Sequence, residues 1–164
     1  MLKSDNTKEF GAQMAKQKGF SLIELLIVVA IILVIAAIAV PNLIKSKMAA
    51  NESSAVGSIR TIVTGELTYA NTSYVGSGYQ TLPNLGSAGL IDSVLAAGSK
   101  SGFSFSANPA SNGTQFIAAA GPLTPGTTGT NYYCAVEDAV IHRPPAPITT
   151  HDACAADTNP LNTQ

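Results

Sequence analysis

The amino-acid sequence predicts an α+β fold, in which a long N-terminal helix, half hydrophobic and half amphipathic, packs against a small antiparallel β-sheet. Three observations lead to this prediction: an apolar run of 21 residues from Phe20 to Val40, a helical repeat of apolar residues after Pro41, and short strand-like segments separated by turns. A small sheet with one apolar face needs a cover, and the amphipathic part of the helix supplies it.

Composition divides the chain into four segments. Residues 1–19 are polar, lack apolar periodicity and end in two lysines and a glycine, which is typical of a processed leader. Residues 20–40 form the hydrophobic helix, residues 41–74 its amphipathic continuation, and residues 75–164 a globular head. We expect this head to contain a loop after the helix, an antiparallel sheet and a C-terminal loop bounded by two cysteines.

The hydrophobic helix has the length of a membrane span. At about 1.5 Å of rise per residue, the run from Phe20 to Val40 is roughly 30 Å long, which matches the hydrocarbon core of a bilayer. Glu24 is its one charged residue. Because an ionised carboxylate inside a membrane helix costs on the order of 3 kcal/mol, Glu24 is expected to have a function.

The distribution of lysines predicts how the span is oriented. Four lysines precede the apolar run, and only Lys45 and Lys47 follow it closely. By the positive-inside rule, the N-terminus is expected in the cytoplasm and the head outside it.

Helical periodicity resumes directly after Pro41, so we expect a kink at this proline rather than the end of the helix. The helix is predicted to reach about Tyr69 or Tyr74, although Gly57 and Gly65 weaken it by roughly 1 kcal/mol each relative to alanine. Its apolar face recurs at spacings of three, four and seven, at Ile44, Met48, Ala55, Ile59, Ile62, Val63, Leu67 and Ala70.

The rest of the head alternates short apolar segments with glycine- and proline-rich turns. A short helix is predicted over Ala88–Ala97, closed by residues 98–102. The proline run at residues 144–147 excludes helix and central strand, and the C-terminal end is expected to be irregular. The candidate strands are Phe103–Ser106, Gln115–Ala120, Asn131–Val136 and Ala139–His142.

Cys134 and Cys154 are the two cysteines of the chain, and both lie in the part expected outside the cytoplasm. Two cysteines in an oxidising compartment usually pair, so we predict a disulfide rather than a metal site or a catalytic thiol. Closing this loop would stabilise the fold by about 3 kcal/mol in the chain-entropy model.

Composition and motifs exclude several classes of function. From Phe20 onward, five basic side chains face eight acidic ones, which is not the basic surface of a nucleic-acid-binding protein. No metal-ligand spacing joins His142 or His151 to its neighbours, and calcium binding by Asp138, Asp152 or Asp157 would lack an EF-hand-like loop. With no catalytic motif either, we expect a protein that is not an enzyme and has no cofactor or metal.

The stretch from Lys16 to Pro41 resembles the class III signal of type IV prepilins and of the related type II secretion pseudopilins. It has a basic residue, then Gly19, then Phe20, then Glu24 as the fifth residue of the mature chain, and a hydrophobic helix with a proline. The resemblance implies a pilin-like fold, cleavage between Gly19 and Phe20 by a prepilin peptidase, and N-methylation of Phe20. A leader of 19 residues is long for the commonest subclass but lies within the range of the family.

The resemblance also implies an assembly mechanism. Glu24 would compensate the positive N-terminus of a neighbouring subunit, Pro41 would mark a bend, and the loop between Cys134 and Cys154 would be the disulfide-bounded region of many pilins. The partners would be copies of the same chain in a helical polymer, other pilins, the peptidase and the pilus assembly machinery of the inner membrane. The filament would serve adhesion, motility, DNA uptake or secretion.

Other interpretations of the N-terminal segment stay open. The chain is either a pilus subunit or a pseudopilin of a type II secretion system. Ser21 and Glu24 also fit a capping box, although Ser21 would be the second residue after cleavage. A secretory signal cut after Ala39 would release a soluble binding module, but this leaves Glu24 unexplained.

Overall fold

The structure is a computed structural model that describes residues 19–72, 78–110 and 113–161. Residues 1–18 of the predicted leader lie outside this described part, as does Tyr74, the later of the two predicted helix ends. The chain divides after Ala39 into two compact units, the second of which begins at Val40.

The first element, α1, is a helix of 50 residues from Leu22 to Asn71. Pro41 lies inside it, so the helix continues beyond the proline, as the renewed apolar periodicity predicted. A kink at Pro41 stays a prediction.

The amphipathic part of α1 buries one face in the core of the head. Ala55, Ile59, Ile62 and Val63 are buried, at the spacings that the sequence predicted. The buried face begins later than the predicted apolar face, however, because Ile44, its first predicted residue, is 44% exposed.

Two short helices, α2 (Leu82–Ser87) and α3 (Ser93–Ala96), replace the single helix predicted over Ala88–Ala97. Helix α3 lies within the predicted range, but the first half of that range is not helical, because Gly89 has a positive φ of 73°, a conformation that interrupts a helix. Asp92 then starts α3 by accepting a hydrogen bond from the backbone N–H of Leu95 at 2.9 Å.

Five antiparallel strands in sequence order form the sheet, which confirms the predicted fold class. Three of the observed strands overlap predicted strands, and a fourth forms the end of the predicted strand Ala139–His142. None of the four has both of its predicted bounds. The strands are β1 (Ser99–Lys100), β2 (Phe103–Pro109), β3 (Phe116–Pro122), β4 (Tyr133–Ala135) and β5 (Ile141–His142).

Strand β1 lies where the sequence predicted only a closing loop. Ser101 and Gly102, which connect it to β2, have positive φ angles of 51° and 76°. This pair of conformations forms the two-residue turn that matches the twist of a β-hairpin, and Lys100 pairs directly with Phe103 across it.

Buried and exposed side chains alternate along the strands, so the sheet has two different faces. On β2, Phe103 and Phe105 are buried while Ser104 between them is exposed. The inner face joins the buried face of α1 in one core, together with Leu82, Leu85, Ile91, Leu95, Ala107, Phe116, Ala118, Ala120, Tyr133, Ala135 and Ile141.

The outer face carries a second, smaller core around the cysteines. Ile117, Cys134, Val136 and Cys154 are buried there, and Ile148 packs against them. Cys154 lies on a helix, α4 (His151–Ala155), in the C-terminal part that the sequence predicted to be irregular. The prediction missed α4 because this polar segment has no apolar repeat of its own and is held by tertiary contacts.

Candidate assembly segment and the contacts of the head

The N-terminal part of α1 exposes apolar side chains around its whole circumference. The large ones between Phe20 and Val40 are between 45% and 82% exposed. Within the described residues, α1 is the one helix long and apolar enough to cross a membrane, with a mean hydropathy of 3.3 over an 18-residue window that is not buried at all. An apolar surface of this extent requires lipid or other apolar helices around it.

The residues named by the motif lie at the start of this segment. Gly19 and Phe20 precede α1 and are exposed, and Glu24 lies in the first turn of the helix. A carboxylate in the first turn interacts favourably with the helix dipole. The exposed side chain of Glu24 is also free to meet a charge on another molecule.

The disulfide between Cys134 and Cys154 is present, with a Cα–Cα distance of 6.1 Å. Both cysteines are fully buried in the outer core. The bond fastens α4 to the central part of the sheet.

Glu52 fastens α1 to the loop between β3 and β4. Its Oε1 accepts hydrogen bonds from the backbone N–H and hydroxyl of Thr130, at 2.7 and 3.0 Å, and from the backbone N–H of Asn131 at 3.1 Å. Its Oε2 accepts from Asn131 Nδ2 at 2.8 Å. Burial raises the pKa of Glu52, but these hydrogen bonds outweigh it and hold the pKa below the usual value.

Glu66 is a buried carboxyl group that the sequence analysis missed. It is 0% exposed, and its Oε2 accepts a hydrogen bond from the backbone N–H of Gln80 at 2.8 Å. Burial raises the pKa of Glu66 to about 7, against the opposing effect of this hydrogen bond. The signal was present in the sequence, because Glu66 follows Ile59 by seven residues and Ile62 by four, which places it on the buried face.

His151, at the start of α4, bridges two carboxylates. Its Nε2 lies 2.8 Å from Glu137 Oε2 and its Nδ1 lies 2.9 Å from Asp152 Oδ1. The hydrogen bond with Asp152, followed by the one with Glu137, raises the pKa of His151. Glu137 also accepts a hydrogen bond from the backbone N–H of Phe116 at 2.8 Å, so the bridge connects α4 to β3.

The second histidine is buried beside an aspartate. His142 Nδ1 lies 3.9 Å from Asp157 Oδ1, which is beyond hydrogen-bond distance. In the part of the chain that the structure describes, no three His, Cys, Asp or Glu side chains converge in a way that could hold a metal ion.

Comparisons with known proteins match the N-terminal segment. The family described as the prokaryotic N-terminal methylation motif matches residues 14–40. The type IV major pilin protein PilA of Myxococcus xanthus (strain DK1622) is 43% identical over 54 residues, which are 33% of this chain and 24% of that protein. The match thus spans about a quarter of the length of this curated relative. No solved structure matches the chain.

The motif, the pilin relative and the fold support one class of protein. The methylation motif covers Gly19, Phe20 and Glu24, and the long N-terminal helix with a small antiparallel sheet is consistent with a pilin fold. The class that these findings support is a type IV pilin-like or prepilin-like family.

Proposed function

We propose that this chain is a structural subunit of a type IV pilus. Prepilin peptidase cuts it between Gly19 and Phe20, Phe20 is N-methylated, and the mature chain polymerises through its N-terminal helix. The exposed apolar surface from Phe20 to Val40 carries this proposal, because lipid can cover it before assembly and neighbouring helices can cover it afterwards.

Glu24 has the role of joining subunits in this proposal. Alone in an apolar environment its carboxylate is costly, but an ammonium group beside it in the same environment compensates much of that cost. Cleavage creates such a group, the amine of Phe20. Glu24 of one subunit then pairs with the Phe20 amine of its neighbour.

The location of the protein changes during assembly. As precursor and as mature monomer it is held in the inner membrane with its head outside the cytoplasm, and after assembly it forms part of an extracellular pilus. The disulfide in the head supports this orientation, because disulfides persist in oxidising compartments. The proposed partners are further copies of the chain, other pilins, the peptidase and the assembly machinery of the inner membrane.

Two alternatives lead to different products. A pseudopilin would form a short fibre in a secretion system, whereas the relative from Myxococcus xanthus is a major pilin, in keeping with the proposed pilus subunit. A secreted module cut after Ala39 would lack the motif residues Gly19, Phe20 and Glu24, whereas the matched methylation motif includes all three.

Processing and assembly can be tested separately. Mass spectrometry of the mature protein is expected to find a chain that begins with methyl-Phe20, and a chain that begins with Val40 would establish the signal-peptide alternative. Electron microscopy of surface filaments, with identification of their main subunit by mass, distinguishes a pilus subunit from a pseudopilin.

The assembly role of Glu24 is tested by substitution. We expect Glu24→Ala to be processed and inserted into the membrane but to assemble poorly, because the neighbour's ammonium group loses its partner. Ser21→Ala is the matched control, since it changes the same helical turn without removing a charge. Normal filaments from the Glu24→Ala variant would contradict the proposed pairing, and loss of filaments in the Ser21→Ala variant would favour the capping interpretation.

A further inference from the structure

The proposed assembly does not use Glu66, although this side chain is a titratable group buried in the core. The side chain is completely buried, and one oxygen, Oε2, accepts the hydrogen bond from the backbone N–H of Gln80. The other oxygen, Oε1, is also buried and has no hydrogen-bond partner within the described residues. An ionised carboxylate with an unpartnered buried oxygen is strongly disfavoured.

Glu66 contacts the non-helical residues 78–81, which precede α2. Gln80, whose N–H it accepts, lies two residues before α2 begins at Leu82. The preceding residue, Tyr79, packs its ring against Phe116 of β3 with 4.6 Å between the ring centroids. Tyr79 and Gln80 are thus held between the sheet and the helix, and Glu66 provides a polar contact on the helix side.

Among the residues that the structure describes, no cation is found to act on the charge of Glu66. Helices α2 and α3 and strands β2 and β3 contain no titratable side chain. Tyr79 is a titratable neighbour of Glu66. Burial has the largest effect on its pKa and raises it, and the negative charges of Glu137 and Glu66 raise it further. Because its pKa is raised above the usual value of 10.0, Tyr79 stays neutral near pH 7 and carries no charge that would favour ionisation of Glu66.

We propose that Glu66 is a proton-controlled latch that holds Tyr79 and Gln80 against α1. With a proton on the carboxyl group, the closed arrangement avoids a buried charge and keeps the hydrogen bond from Gln80. Loss of the proton favours an open arrangement, in which this segment separates from the helix and water reaches the carboxylate. The latch depends on contacts between the second half of α1 and the head, and not on filament assembly.

The size of the effect follows from the two arrangements. The pKa of Glu66 is about 7 when closed, and in the open arrangement it returns towards the usual value of 4.5. Proton linkage between these values makes opening about tenfold more favourable at pH 8 than at pH 6.

Hydrogen–deuterium exchange of the full chain in detergent micelles tests the latch. Peptides that include Tyr79 and Gln80 are compared at pH 6 and pH 8, after correction for the intrinsic pH dependence of exchange. We expect about tenfold less protection at pH 8. Unchanged protection in the wild-type protein would overturn the proposal without the need for any variant.

Two variants separate Glu66 from a general effect of pH. Glu66→Gln keeps an oxygen for the Gln80 N–H but cannot ionise, so its protection is expected to be equal at the two pH values. Glu52→Gln, on the same helix, is the control and should keep the wild-type loss of protection, because the pKa of Glu52 is lowered and Glu52 does not titrate in this range. A loss of protection that persists in Glu66→Gln would assign the effect to another group.

Discussion

Glu52→Ala is expected to destabilise the head by removing the contact between α1 and the loop after β3. The carboxylate accepts four hydrogen bonds, all from Thr130 and Asn131. A hydrogen bond contributes about 0.5–1.5 kcal/mol net, and water can replace part of these four because the site is only partly buried. We therefore expect the free energy of unfolding to fall by about 2 kcal/mol at pH 7.

The effect of Glu52→Ala should depend on pH in a defined direction. The pKa of Glu52 is lower in the folded protein than the usual 4.5, so its stabilising contribution is complete above that value. The contribution is lost as the pH falls through the lowered pKa. The difference between wild type and variant should therefore shrink in acid below about pH 4.

Urea unfolding of the full chain in detergent micelles measures this difference. Tyrosine fluorescence is a suitable signal because the chain has five tyrosines and no tryptophan, and the ring of Tyr133 is buried close to the loop. Ser53→Ala, at an exposed neighbouring position of α1, is the control and should change stability by at most about 0.5 kcal/mol. A loss below about 0.5 kcal/mol for Glu52→Ala at pH 7, or an equal loss at pH 3.5, would refute the reasoning.

Three further expectations concern the stability of the fold. Gly129→Ala should cost about 1–3 kcal/mol, because the added Cβ would lie 2.5 Å from Cζ of the fully buried Phe103. Gly57→Ala, on the exposed face of α1 with open space around it, should instead stabilise the fold by up to about 1 kcal/mol. Equal changes in the free energy of unfolding for Gly57→Ala and Gly129→Ala, measured by urea unfolding, would contradict this account. Replacing Cys134 and Cys154 together by alanine should cost about 3 kcal/mol, which the same assay measures, and an unchanged unfolding midpoint would show that the outer core holds α4 without the bond.

The two glutamates in the C-terminal half of α1 illustrate how surroundings control ionisation. Glu52 meets four hydrogen-bond donors at a partly exposed site, and its pKa is lowered. Glu66 meets one donor in the apolar core, and its pKa is raised to about 7. Identical side chains 14 residues apart on one helix are therefore suited to opposite roles, one as a fixed charged contact and one as a group that titrates near neutral pH.

The motif at the start of the hydrophobic helix could be identified from the sequence because it is local. Gly19, Phe20 and Glu24 stand within six residues of one another, and the apolar run after them needs no tertiary contact to be visible. The periodicity after Pro41 likewise predicted α1 and most of its buried face. Short apolar segments bounded by glycine- and proline-rich turns located the main strands, since such turn signals are also local.

The contacts within the head were decided by the tertiary structure. Glu52 meets Thr130 and Asn131 across 78 and 79 residues of sequence, and no local pattern contains such a pairing. Helix α4 likewise depends on the disulfide and on the bridge of His151 to Glu137, because its own sequence has no apolar repeat.

By itself, the sequence determined the resemblance of the N-terminal segment to prepilins, the position of the apolar helix and the general α+β architecture, because short-range periodicity and a contiguous motif encode them. The fold alone decided that Glu66 lies in the core with one hydrogen-bond donor among the described residues, and that Glu52 holds the loop after β3. The physical reason is that burial and hydrogen bonding depend on which distant segments meet, and the pKa of each carboxyl group follows from that environment.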